Sequence, residues 1–101
     1  MARVTWTDQA LVDLHAVCLF LARDAPRYAQ LFAIQVFGAA DRLAEFPRLG
    51  RVVPELGRDE IREVLVGRYR LIYRLLEDEV EILTVHHGLR PLESFNPPGT
   101  A

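Results

Sequence analysis

The chain has no lysine, one cysteine and one serine, and each absence closes off a class of chemistry. With Cys18 alone, no internal disulfide or cysteine-built zinc site is available, which suits a reducing cytoplasm. The lone serine, Ser94, falls in the C-terminal tail, so no serine nucleophile is expected. The glycines stand singly at turn positions, so no Gly-rich phosphate loop is present. No apolar run approaches the roughly 18 residues that a membrane-spanning helix requires. From Arg3 onward the N-terminus alternates polar and apolar residues without an apolar h-region, so no secretory signal is expected either. Opposite charges nearly cancel, 12 arginines against 14 acids for a net -2, which argues against bulk polyanion binding.

What is present is a 101-residue chain that is 50% apolar and 26% charged, sized and composed for one globular domain. A single domain over 1–93 followed by a flexible tail over 94–101, with Pro97-Pro98-Gly99, is expected. Arg3-Val4-Thr5-Trp6 has the period of a strand. Thr7 offers an N-cap hydroxyl to a helix whose apolar stripe is Ala10, Leu11, Leu14, Val17, Cys18 and Leu21. Asp24-Ala25-Pro26 ends it and opens a second helix carrying Tyr28, Phe32, Val36, Leu43 and Phe46, with Leu31 and Phe37 beside them. So short a connection predicts an antiparallel helix hairpin. A loop over 48–59 precedes three β-rich runs, 61–66, 69–76 and 79–85, separated by Gly67-Arg68 and Glu77-Asp78. Both gaps suit tight hairpins, the first with glycine where a II′ turn needs it. The fold class is therefore α+β: an N-terminal strand, a helix hairpin and a three-stranded antiparallel meander.

A turn at Glu77-Asp78 pairs Tyr69 with His86, Leu71 with Thr84, Tyr73 with Ile82 and Leu75 with Val80 on one face. The other face pairs Arg70 with Val85, Ile72 with Leu83 and Arg74 with Glu81. The Tyr/Leu face is apolar enough to pack under the helices. On the arginine face, an apolar strip flanked by cations reads as a binding groove. The charge is segregated: residues 48–74 hold seven arginines and four acids, net +3, while residues 75–101 hold one arginine and five acids, net -4.

Several residues carry candidate chemistry. His86 and His87 are adjacent on a strand and point to opposite faces, so they do not share a metal; only His15 could add a third histidine ligand, and no metal or cofactor is expected. His86 is read as a core-edge residue beside Tyr69, and His87 as a titratable group on the arginine face. Cys18 lies on the helix stripe and reads as a small buried hydrophobe. Arg48, Arg51, Arg70 and Arg90 could converge beside the sheet and stabilise the developing charge on a phosphate. Arginine is not a base, so cleavage of RNA would require His87 as the proton acceptor. Pairing of these arginines with acidic residues of a partner is the favoured reading, because a groove with apolar walls suits a peptide.

Read together, several segments resemble the RelE/ParE family of type II toxin–antitoxin toxins. They are Val4-Thr5-Trp6-Thr7, then Leu43-Ala44-Glu45-Phe46-Pro47-Arg48-Leu49-Gly50-Arg51-Val52-Val53-Pro54-Glu55, and Ile61-Arg62-Glu63. Gly67-Arg68-Tyr69-Arg70-Leu71-Ile72-Tyr73 follows, and Val80-Glu81-Ile82-Leu83 runs into Val85-His86-His87-Gly88. The resemblance covers roughly residues 2 to 90 and implies a helix hairpin on an antiparallel sheet. It also implies a cognate antitoxin that wraps and neutralises the toxin in a hetero-oligomer. The family's RelE-like branch cleaves messenger RNA on the ribosome, and its ParE-like branch poisons DNA gyrase.

By the same resemblance, Arg70 matches the sheet arginine of the nuclease branch and Arg90 its arginine after the last strand. Leu89 stands where that branch commonly has a lysine, the loop has Arg48 and Arg51 in place of lysines, and the tail has Phe95 and Asn96 but no tyrosine. The expectation is therefore a cytoplasmic ParE-like gyrase inhibitor, linked to plasmid stabilisation or growth arrest. The alternatives are a ribosome-dependent endoribonuclease using Arg70, Arg90 and His87, and an inactive partner-binding module. Antitoxin or target binding is expected at Arg48, Arg51, Arg70, Ile72, Arg74, Leu83 and Arg90.

Overall fold

The structure, a computed structural model, describes residues 1–92 together with Phe95 and Pro97. Strand β1 (Arg3–Trp6) leads into helix α1 (Asp8–Ala22) and helix α2 (Pro26–Glu45). Strands β2 (Arg51–Val52), β3 (Ile61–Val66), β4 (Tyr69–Leu75) and β5 (Glu79–His87) follow. The sheet order is β1-β5-β4-β3-β2. The expected meander forms its centre. Strand β1 joins it parallel to β5, and β2, within the stretch read as loop, pairs antiparallel with β3.

Local chemistry explains the boundaries. Thr7 Oγ1 accepts from the Ala10 N–H at 3.0 Å, capping α1, while its own proton goes to the Ile82 carbonyl at 2.9 Å. One hydroxyl thus starts the helix and fixes it to β5. Pro26 opens α2, where its missing N–H costs no hydrogen bond. Gly67 has φ of 58° and Arg68 does not share that positive φ, the pattern of a II′ rather than a I′ turn.

The helix hairpin packs on one face of the sheet. Its core joins Ala10 and Leu14 of α1 to Phe32, Val36, Ala39, Ala40 and Leu43 of α2, over Leu71, Tyr73, Val80, Ile82 and Val85. Leu11, Tyr28, Leu31, Phe37 and Phe46, which the sequence put on the apolar stripes, are instead exposed. Alanines at 29, 39 and 40 share the inward positions of α2 with Phe32, Val36 and Leu43, and Tyr28, Leu31 and Phe37 fall outside that face.

Two expectations about the sheet are corrected. Pairing of Tyr73 with Ile82, Arg74 with Glu81 and Leu75 with Val80 follows the predicted register, but a bulge then shifts it by one residue. Beyond it, Ile72 pairs with Thr84, Leu71 with Val85, Arg70 with His86 and Tyr69 with His87. The extra residue places Leu83 in one apolar cluster and Val85 in the other, burying both, and it exchanges the two histidines between faces. The arginine face is also no open groove. Ile72 is 0% and Leu83 3% exposed, in a second core with Val53, Ile61 and Leu92, against which Leu56 and Phe95 pack. The tail expected over 94–101 lies largely outside the described residues. Phe95 packs on this core with its N–H on the Leu92 carbonyl at 3.0 Å, and Pro97 is buried.

Candidate functional site

Arg70 is the centre of the second face. It projects from β4 beside Glu63 of β3 and beneath the loop that carries Glu55, and it is only 4% exposed. Its Nη1 and Nη2 donate to the two Glu55 oxygens at 2.7 Å each, and its Nε donates to Glu63 Oε1 at 2.6 Å. Arg51 Nε donates to the other Glu63 oxygen at 2.7 Å. Two arginines and two carboxylates thus form a chain, Arg51–Glu63–Arg70–Glu55. The guanidinium plane of Arg70 matches carboxylate geometry, and both oxygens of Glu55 and both of Glu63 are engaged. Hydrogen bonds from Arg70 hold the Glu55 carboxyl down at about 2, and Glu55 in turn raises Arg70 further.

Beside this chain lies a cavity of about 620 Å³ lined by Arg51, Glu55, Leu65, Arg68, Arg70 and Leu89, among others. Arg68 is exposed and has no ion-pair partner among the described residues. Gly88 lets the turn after β5 approach: its N–H meets the Arg68 carbonyl at 2.8 Å, and a Cβ there would lie 3.0 Å from that oxygen.

The remaining candidates are dispersed. Arg48 pairs with Asp59 at 3.2 Å on the surface, lowering that carboxyl, and Arg74 pairs with Glu81 at 2.9 Å. Arg90 and His87 line a second cleft of about 620 Å³ between α1 and the end of β5, with Phe20, Tyr69, Thr84 and His86. There His87 stacks edge-on to Tyr69, with centroids 5.1 Å apart, and its Nδ1 accepts from the Leu89 N–H at 3.1 Å. His86 Nε2 donates to the Arg90 carbonyl at 3.0 Å. Thr84 Oγ1 donates to Asp13 at the floor of this cleft. His87 therefore shares a cleft with Arg90, on the opposite face from Arg70, which corrects its assignment to the arginine face. Cys18 is half-buried in α1, and burial pushes its thiol up, away from the thiolate.

Glu55 and Glu63 were missed as site residues. Glu63 was legible: a turn at Gly67-Arg68 sets Leu65 opposite Arg70 and places Glu63 on that same face, one pair further along. Glu55 sits in a loop and carried no periodic signal. Among the described residues no three histidine, cysteine, aspartate or glutamate side chains gather as metal ligands would.

A five-stranded mixed sheet under a helix hairpin, with an arginine-rich second face, defines a small α+β fold. The match is specific. The chain belongs to the family described as the ParE toxin of type II toxin–antitoxin systems, parDE, whose family model matches residues 4–92. It is 37% identical over 91 residues to Toxin RelE2 of Caulobacter vibrioides, covering 89% of this chain and 99% of that protein. A solved structure of the chromosomal ParDE toxin–antitoxin system from P. aeruginosa has the same fold, with a TM-score of 0.72 at 19% identity. That likeness spans 86% of this chain and 96% of that one. The chain is thus a type II toxin–antitoxin toxin of the ParE/RelE family. No helix of the described residues is long and apolar enough to cross a membrane.

Proposed function

We propose that this toxin acts in the cytoplasm as a ParE-type inhibitor of DNA gyrase and is neutralised by a cognate antitoxin. The observation that carries the reading is the separation of the nuclease candidates. Arg70 is engaged by Glu55 and Glu63 on one face of the sheet, and His87 packs against Tyr69 on the other. Transition-state stabilisation and proton transfer require both groups at one reacting centre. A target bound as a protein surface makes no such demand.

The antitoxin is proposed to lay an acidic segment across Arg48, Arg51 and Arg74, with Arg70, Ile72 and Leu83 immediately beneath; Arg90, in the other cleft, lies apart from it. Charge complementarity would then speed association and set register. A supercoiling assay with the purified toxin tests the gyrase reading. Supercoiling should fail as toxin saturates the enzyme and return when antitoxin is added; unimpaired supercoiling rejects the reading.

A second reading, ribosome-dependent cleavage of messenger RNA, is favoured by one observation: Arg90 and His87 share a cleft. Transcript cleavage on ribosomes that disappears in His87→Ala would establish it. Normal growth after induction of the toxin alone would favour an inactive partner-binding module.

A further inference from the structure

We infer that Glu55 is an intramolecular placeholder: it occupies the Arg70 fork in the free toxin and yields it to a carboxylate side chain of an acidic partner segment. The inference rests on the antitoxin-binding reading above and adds how that surface is held before the partner arrives.

The two contacts of Arg70 differ in kind. Glu63 belongs to the neighbouring strand, is fully buried and is fixed further by Arg51. It cannot leave without exposing a dry charge. Glu55 comes from the loop between β2 and β3, and its side chain is 44% exposed. It grips the outer edge of the guanidinium by two hydrogen bonds that any carboxylate of the right approach reproduces. The position is therefore a carboxylate site already filled, and its occupant can swing into solvent where its charge is hydrated.

The surroundings select the incoming group. The cavity bordering Glu55 adds Arg51 and Arg68, and Arg68 has no ion pair of its own among the described residues. With Arg51, Arg68 and Arg70 set against Glu55 and Glu63, the charge around the cavity is +1 with Glu55 in place and +2 once it swings out. Leu65, 66% exposed, and Leu89, 87% exposed, are apolar walls on either side. Carboxylates alternating with apolar side chains along an extended peptide would satisfy both features. Apolar walls give a ribose–phosphate chain nothing to bind, so the peptide is favoured over a nucleic acid. An exchange of this kind keeps Arg70 paired at all times, so the buried guanidinium never meets the cost of standing alone.

The test uses the purified toxin and a capped hexapeptide of alternating leucine and glutamate, followed by calorimetry and by the Arg70 Nε–Hε NMR signal. Removing the placeholder charge in Glu55→Gln should raise peptide affinity at least tenfold and move the Arg70 signal on titration. Glu55→Asp, whose shorter reach loosens the grip, should give a smaller gain, and thermal melts verify that both variants fold. Unchanged or weakened peptide binding in both variants overturns the inference. An equal gain with a leucine–glutamine peptide, or a gain with inorganic phosphate alone, also overturns it. Because gyrase and growth play no part, a positive result with unimpaired supercoiling would reject the gyrase reading and leave the placeholder standing.

Discussion

Arg70 and Glu55, fifteen residues apart in sequence, are joined by two parallel hydrogen bonds of 2.7 Å on the second sheet face. This bond ties the loop that follows β2 to the centre of the sheet. It also leaves one of its two partners accessible from solvent, so it bears on both stability and binding.

The bond makes stability depend on acid. Glu55 has its carboxyl held at about 2 in the folded state, against an ordinary value of 4.5. A depressed carboxylate contributes stability above its unfolded pKa and loses it as pH falls toward the folded value. Melting temperature should therefore drop as pH falls from about 4.5 to about 2, with Asp59, Glu60 and Glu79, also lowered, adding in the same direction. Glu55 is exposed enough for solvent screening to limit its share to about 1 kcal/mol. Thermal melts of Glu55→Gln across this range should show a shallower acid slope than the parent.

Glu63 and Arg70 should be strongly coupled. Glu63→Leu leaves a buried guanidinium with only its outer partner, and is expected to cost about 3–5 kcal/mol. Replacing both, as Glu63→Leu with Arg70→Met, removes the buried charges together and should cost much less than the sum of the single changes. Urea unfolding of the four proteins measures the coupling; additive losses would mean the pair acts independently.

Tyr73 anchors the segment that leaves α2. Its hydroxyl donates to the Pro47 carbonyl at 2.7 Å and accepts from the Gly50 N–H at 2.9 Å, in a site where a Cβ on Gly50 would lie 2.7 Å from the phenol oxygen. Tyr73→Phe keeps the ring but strands the buried Gly50 N–H, and should cost about 1–3 kcal/mol. Hydrogen exchange at Gly50 should accelerate more than exchange in α1. Equal protection at Gly50 would show that another group takes over the bond.

Leu65 and Leu89 are predicted to matter for binding and not for folding. Both are exposed, so Leu65→Asp and Leu89→Asp should each change stability by no more than about 0.5 kcal/mol. Each places a carboxylate beside the surface proposed for an acidic partner. Antitoxin affinity, read by calorimetry, should fall at least tenfold in the double variant; unchanged affinity would move the partner to another face.

Much of the architecture was legible because it is encoded locally. Thr7 and Pro26 mark helix starts through capping and a dispensable N–H, and Gly67 and Glu77-Asp78 mark two-residue turns whose length fixes the adjacent register. Those signals, with the two-residue period of β1, located six of the seven elements and the Arg74–Glu81 pair. β2 escaped because two residues carry no periodicity. The exposed Leu11 and Phe37 escaped because a wide apolar stripe does not say which edge of it faces the sheet.

The sequence by itself determined the order of elements, the family resemblance and the clustering of arginine between 48 and 74. Only the tertiary structure decided what those arginines meet. The bulge past Tyr73 arises because Leu83 and Val85 must enter different cores, and that one-residue shift carried His87 away from Arg70. The covering of Ile72 and Leu83 depends on Val53, Leu92 and Phe95 folding back from chain segments with no period of their own. Burial of a charged strand then demanded carboxylates at bonding distance, and a loop glutamate answered it. That pairing rests on packing across the sheet face, a long-range balance that no local pattern records.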